Sequence, residues 1–151
     1  MIDFVVSMGQ KYISWCAEYL IFVGAFIVLI FLSTQSTVYD SLLKFLTLVT
    51  IVVSLWYIGA FLKFFIRKER PKEKLHNIIE RDRYTFPSMH ALTISSASSY
   101  ICMYSQFFGA IMFVIAFIIM YARVRTHMHY MVDMIAGFCF GVIFAYIFSP
   151  F

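Results

Sequence analysis

Charge is scarce in this chain: 13% of its 151 residues are Asp, Glu, Lys or Arg, against 62% apolar and 20% aromatic. Soluble domains carry about 25% charged and roughly 45–50% apolar residues. A core of this size cannot hide the difference, so a freely soluble domain is excluded and the surplus apolar surface must face lipid. Cysteine is also sparse. Cys16, Cys102 and Cys139 stand in apolar stretches without paired or metal-finger spacing, and read as buried free thiols. Met1-Ile2-Asp3-Phe4 lacks the basic region and small-residue cleavage site of a secretory signal, so the first apolar span is expected to be retained as an anchor.

The apolar residues are grouped into long runs. Phe45 to Leu62, uncharged between Lys44 and Lys63, would cover about 27 Å as a helix, one membrane crossing. Tyr12 to Leu32 is equally apolar apart from Glu18, and Ser33-Thr34-Gln35-Ser36-Thr37 with Asp40 forms a polar turn after it. Glu18 is costly in a span unless paired or near the interface. Ala91 to Ala122 carries no charge and as one helix would be about 48 Å long, beyond the hydrocarbon core. It must fold back, most easily at Tyr104-Ser105-Gln106 followed by Gly109. A last segment runs from about Met131 to Phe148. The expectation is an all-α, polytopic membrane helical bundle of about five transmembrane helices, forming a single domain over 1–151. Gly137 and Gly141 on the last helix, and Ala91, Ser95 and Ser98 on the third, are small residues at helical spacing that permit close packing in lipid.

Counting crossings brings three polar segments to one membrane face: Lys63 to Pro71 after the second helix, Pro87-Ser88-Met89-His90 opening the third, and Arg123 to Asp133 before the fifth. Lys63, Arg70, Ser88, His90, Arg123, His129 and Asp133 can then converge at one depth. Cations, a hydroxyl and imidazoles suit a phosphate ester. Phosphoryl transfer spreads negative charge over three oxygens, which fixed Arg and Lys donors held near lipid oppose. Arg70 and Arg123 can bind in bidentate fashion, and Lys63 adds a point charge. Ser88 after Pro87 suits a helix start, where backbone N–H groups attract an anion. His129 and Asp133 are four apart, so on a helical turn the carboxylate could hold one imidazole nitrogen and leave the other as nucleophile. His90 would protonate the leaving oxygen and then activate water.

The pattern Lys63-x6-Arg70-Pro71, then Pro87-Ser88-x-His90, then Arg123-x5-His129-x3-Asp133 resembles the three-part signature of the type 2 phosphatidic acid phosphatase superfamily of membrane lipid phosphatases. It spans residues 63–133. The resemblance implies His129 as nucleophile, Asp133 as its partner, and His90 as acid and base. Lys63, Arg70, Ser88 and Arg123 would be phosphate ligands, with no metal and no cofactor. Met89 and Ala122 depart from the family's usual glycine and serine. If the glycine position only contributes a backbone N–H, Met89 serves equally as a phosphate ligand; if it requires φ above zero, Met89 is strained. The family's usual first crossing is expected to be lacking here.

Other polar residues have plainer readings. Arg67, Lys68, Lys72, Lys74, Arg81 and Arg83 read as headgroup anchors, and His76 and His127 as satisfied hydrogen-bonding residues. A zinc site from His127, His129 and Asp133 is disfavoured by the surrounding cations. Leu75, Ile78 and Ile79 share one helical face, so the stretch between Pro71 and Phe86 is expected to be either an amphipathic turn on the membrane or a solvated loop. All Lys and Arg except Lys44 fall on the active face, which by charge alone belongs in the cytoplasm; the resemblance implies the outer, periplasmic face of a bacterial inner membrane, and that is the orientation expected. The expected partners are the membrane and a phosphorylated lipid, with no nucleic acid. The resemblance implies polyprenyl diphosphate, phosphatidylglycerol phosphate, phosphatidic acid or lipid A phosphates as candidates. The alternatives are a non-catalytic binder of anionic headgroups and, further off, a vanadate-dependent haloperoxidase with a similar anion pocket.

Overall fold

A computed structural model describes residues 19–20, 23–28, 30–32, 34, 37–69 and 84–149. Glu18, Cys16, Arg70 and the expected surface turn between Pro71 and Phe86 lie wholly or mostly outside these residues. The described chain forms α1 (Val23–Leu32), α2 (Val38–Ile66), α3 (Met89–Tyr104), α4 (Gln106–Arg125) and α5 (Met131–Phe148). The all-helical membrane bundle expected from the sequence is the architecture found. Among the described residues, α2, α4 and α5 are long and apolar enough to cross a membrane by length and composition.

Two boundaries show what hydropathy does and does not locate. The long apolar run breaks at Ser105, whose extended backbone separates α3 from α4. The break is where the polar triplet stood, and Gly109 makes the turn tight by letting α4 pass against the Cys102 backbone. α2 is longer than its uncharged run. It begins at Val38 because the Thr37 side chain accepts the Asp40 N–H, a cap that hydropathy does not register. It ends at Arg67, which is in the left-handed region at φ 47 and donates its N–H to the Lys63 carbonyl. At 29 residues α2 extends about 43 Å, longer than the roughly 30 Å hydrocarbon core.

α3 is the centre of the bundle, packed chiefly against α5 and α4 and also against α2. Ser95, Ser96, Ser98 and Ser99 are all buried on it. It can be shorter and more polar than its neighbours because protein, rather than lipid, surrounds it. Gly137 and Gly141 bring α5 against it: Gly137 faces the Ser88 carbonyl and Ala91, and Gly141 faces Ser95 and the Leu92 carbonyl. The Ser95 hydroxyl spans the gap, 3.2 Å from the Phe138 carbonyl. Outward surfaces are apolar instead. Leu42, Leu46, Val49, Val53, Trp56 and Phe64 are exposed along one side of α2, opposite buried Leu48, Ile51, Leu55 and Gly59, the pattern of a helix with one face in lipid.

Contacts at the two ends bear out the expected parity. At one end the Ser41 hydroxyl bonds the Leu32 carbonyl, and the Lys44 ammonium lies 4.7 Å from the Tyr104 ring centroid. At the other, the end of α2 and the starts of α3 and α5 meet.

Candidate active site

Ser88, Met89 and His90 open α3. Ser88 is its N-cap, with φ −72 and ψ 118, yet its side chain does not cap the helix. Its Oγ is fully buried and has no hydrogen-bond partner among the described residues, while its N–H donates to the Asp133 carbonyl at 3.1 Å. A buried hydroxyl beside the first N–H groups of a helix is a ready anion site. Met89 is the first residue of α3. Among the described residues the non-glycines at positive φ are Arg67 and His127, so Met89 takes the family's glycine position in ordinary helical backbone. Its thioether lies over Gly59 of α2.

His90 meets Arg123. The guanidinium Nη2 of Arg123, buried in the last turn of α4, is 3.1 Å from His90 Nε2. Arginine has no acceptor, so Nε2 receives the bond through its lone pair. An apolar cavity of about 430 Å³ lies against the same imidazole, lined also by Thr93, Val28, Val52, Ile94, Met112 and Ile119. Lys63 sits half-buried in the last turn of α2.

His129 and Asp133 are both buried, but not in the relationship that helical spacing suggests. His129 lies in the turn before α5, whose N-cap is Tyr130, so the four-residue rule for a continuous helix does not apply. The Asp133 carboxylate is engaged elsewhere. Oδ2 accepts the Tyr130 N–H at 3.0 Å, and Oδ1 is 2.6 Å from Lys68 Nζ. The expected Asp133 to imidazole bond is thus replaced by a capping box and an ion pair. The turn itself is closed by the Met128 N–H on the Arg123 carbonyl at 3.1 Å and by the Thr126 hydroxyl on the Ala122 carbonyl at 2.9 Å. His127 takes the left-handed conformation in it, at φ 53, and is exposed.

Lys68 is the site residue that sequence reasoning missed. Charge near a membrane end does not distinguish a headgroup anchor from an ion pair, and no spacing in the sequence links Lys68 to Asp133. Among the described residues, no three His, Cys, Asp or Glu side chains are grouped so as to hold a metal ion.

A model of the PAP2 superfamily matches residues 42–151, more than half of the chain. The chain belongs to the PAP2 superfamily. The matched stretch contains all three motif segments. No curated protein matches. Among solved structures, the chain is similar to the crystal structure of the first transmembrane PAP2 type phosphatidylglycerolphosphate phosphatase from Bacillus subtilis. The TM-score is 0.64 at 19% identity, over 96% of this chain and 75% of that one. At this identity the likeness is one of fold. PAP2 superfamily membership together with a transmembrane fold supports a membrane phosphatase, and the apolar helices make the chain an integral-membrane protein.

Proposed function

We propose that this PAP2 superfamily member hydrolyses a lipid phosphate or diphosphate through a phosphohistidine intermediate. The observation that carries this reading is the position of His90, which contacts the buried Arg123 guanidinium and also lines an apolar cavity. A substrate with an anionic head and a hydrocarbon tail suits both surroundings at once. A soluble phosphate ester would have no use for the second.

His129 attacks phosphorus, forming a P–N bond as the P–O bond to the lipid breaks. His90, protonated once Arg123 turns to the phosphoryl group and releases Nε2, delivers a proton to the departing oxygen and becomes the neutral imidazole. Water, deprotonated by His90, then attacks the phosphohistidine, releasing inorganic phosphate and restoring His129. Lys63, Arg70 and Arg123 oppose the charge on the phosphoryl oxygens, together with the Ser88 hydroxyl and the N–H groups at Met89 and His90. Asp133, accepting the Tyr130 N–H, holds the turn that presents His129. The active face is assigned to the outer side of the membrane.

The test is phosphate release in detergent from phosphatidic acid, phosphatidylglycerol phosphate, polyprenyl diphosphate and a lipid A phosphate. One of these should turn over, and His129→Ala should abolish that turnover while leaving the thermal unfolding of the protein unchanged. Equal release by the variant overturns the mechanism.

A further inference from the structure

The three motif segments are joined by a closed circuit of bonds, and Lys68 enters it twice. Through its backbone carbonyl it accepts the Thr85 N–H at 2.8 Å and the Thr85 hydroxyl at 3.2 Å, an antiparallel contact continued by the bridge between Glu69 and Tyr84. Three residues after Thr85, the Ser88 N–H reaches the Asp133 carbonyl. The Asp133 carboxylate returns to the Lys68 ammonium and also takes the Tyr130 N–H next to His129. One residue therefore links the exit from α2 to the entry to α3 through its backbone carbonyl, and to the turn bearing His129 through its side chain.

The ammonium has little freedom to leave this circuit. Its centre lies 4.7 Å from the Tyr130 ring centroid and 6.0 Å from that of Phe86, within reach of cation–π attraction. Its partner is 0% exposed, whereas Lys68 itself is 35% exposed. A buried carboxylate needs a cation, and at 2.6 Å this charge-assisted bond is short and directional. A headgroup anchor would point its charge at lipid phosphates; this one points inward at Asp133.

We propose that Lys68 is a positioning residue that acts through Asp133 to hold the His129 turn against the openings of α3 and α5. The proposal deepens the phosphatase reading and rests on it for its kinetic consequence. The linkage is structural in the first instance: the ammonium fixes the carboxylate, the carboxylate fixes the Tyr130 N–H, and that amide fixes the peptide following His129. Loss of the ammonium misplaces the nucleophile without removing any phosphate ligand.

Four proteins decide it: Lys68→Met, Lys68→Arg, Asp133→Asn, and Lys68→Met combined with Asp133→Asn. On a lipid phosphate in mixed micelles, Lys68→Met should lower kcat by about 100-fold, the scale of loss from misplacing a reacting group, with KM unchanged. Lys68→Arg should recover most of the rate, and adding Lys68→Met to Asp133→Asn should cost nothing further. A raised KM at unchanged kcat would make Lys68 a headgroup or phosphate ligand and overturn the proposal, as would losses that multiply in the double variant. Thermal unfolding of the same proteins separates this proposal from the functional reading. Midpoint losses that simply add overturn the linkage whether or not the wild type is active. Inactivity of the wild type together with non-additive midpoints overturns the phosphatase reading and leaves the linkage standing.

Discussion

Met89 and Gly59 fit each other across the α2–α3 interface: a Cβ built on Gly59 would come within 2.5 Å of the Met89 sulfur. Lys63 is one helical turn beyond Gly59 on α2, so this contact also sets the distance between Lys63 and the start of α3. Gly59→Ala should therefore destabilise the protein by about 1–3 kcal/mol, the usual cost of overpacking. Met89→Ala in the same chain should recover much of that loss, because it removes the atom that clashes. Denaturation midpoints in detergent of the two single variants and the double check this; strict additivity would mean that the two residues are not coupled.

Close approach also separates two other glycines. A Cβ on Gly141 would collide with Ser95 Oγ and the Leu92 carbonyl, whereas one on Gly24 would meet only Met112 side-chain atoms, the nearest at 3.5 Å. Gly141→Ala should force α5 away from α3 and lower folded yield and thermal midpoint. Gly24→Ala should be neutral or gain up to about 1 kcal/mol from the lost glycine entropy. Similar midpoints for the two variants would contradict the α3–α5 packing.

Arg123 is predicted to be worth much more than its charge. Its guanidinium contacts His90, and under the proposed mechanism it also opposes the phosphoryl charge, so Arg123→Ala should cost about 10²–10³ in kcat, the range for a lost oxyanion donor. Arg123→Lys should restore little, because a single ammonium cannot reproduce the planar fork. Steady-state kinetics on the preferred lipid reads both values. Full recovery by lysine would show that charge alone suffices.

The cations assigned to phosphate binding are side chains, so activity should survive chelation. Rates measured with and without a strong chelator are expected to agree. Activity that vanished with chelator and returned with zinc or magnesium would sink the account built on Lys63, Arg70 and Arg123.

Trapping the intermediate tests the order of the two histidines. Labelled substrate quenched in the steady state should leave phosphate on His129, mapped by mass spectrometry. His90→Ala should still form some adduct when the leaving group is good, since departure then needs no proton. Label on His90 would reverse the roles.

Much of this protein is a direct consequence of its sequence. Among the described residues hydropathy locates α2, α4 and α5, because a helix that faces lipid must be long and apolar, and the polar triplet around Ser105 is the cheapest place to turn. Parity then brings the three motif segments, which carry Lys63, Ser88, His90, Arg123, His129 and Asp133, to one face, and the motifs name the superfamily. The ends of α2 were not legible in the same way, since the Thr37 cap and the left-handed Arg67 depend on single hydrogen bonds rather than on averaged hydropathy. Met89 looked anomalous in isolation and became explicable only beside Gly59, thirty positions away on another helix. The partner of Asp133 was decided wholly by tertiary structure. Spacing along the chain pointed to His129, but α5 starts after that residue, and the bridge between Glu69 and Tyr84 delivers Lys68 to the carboxylate instead. A buried charge takes whichever opposite charge the fold brings within reach, and one-dimensional spacing does not encode that choice.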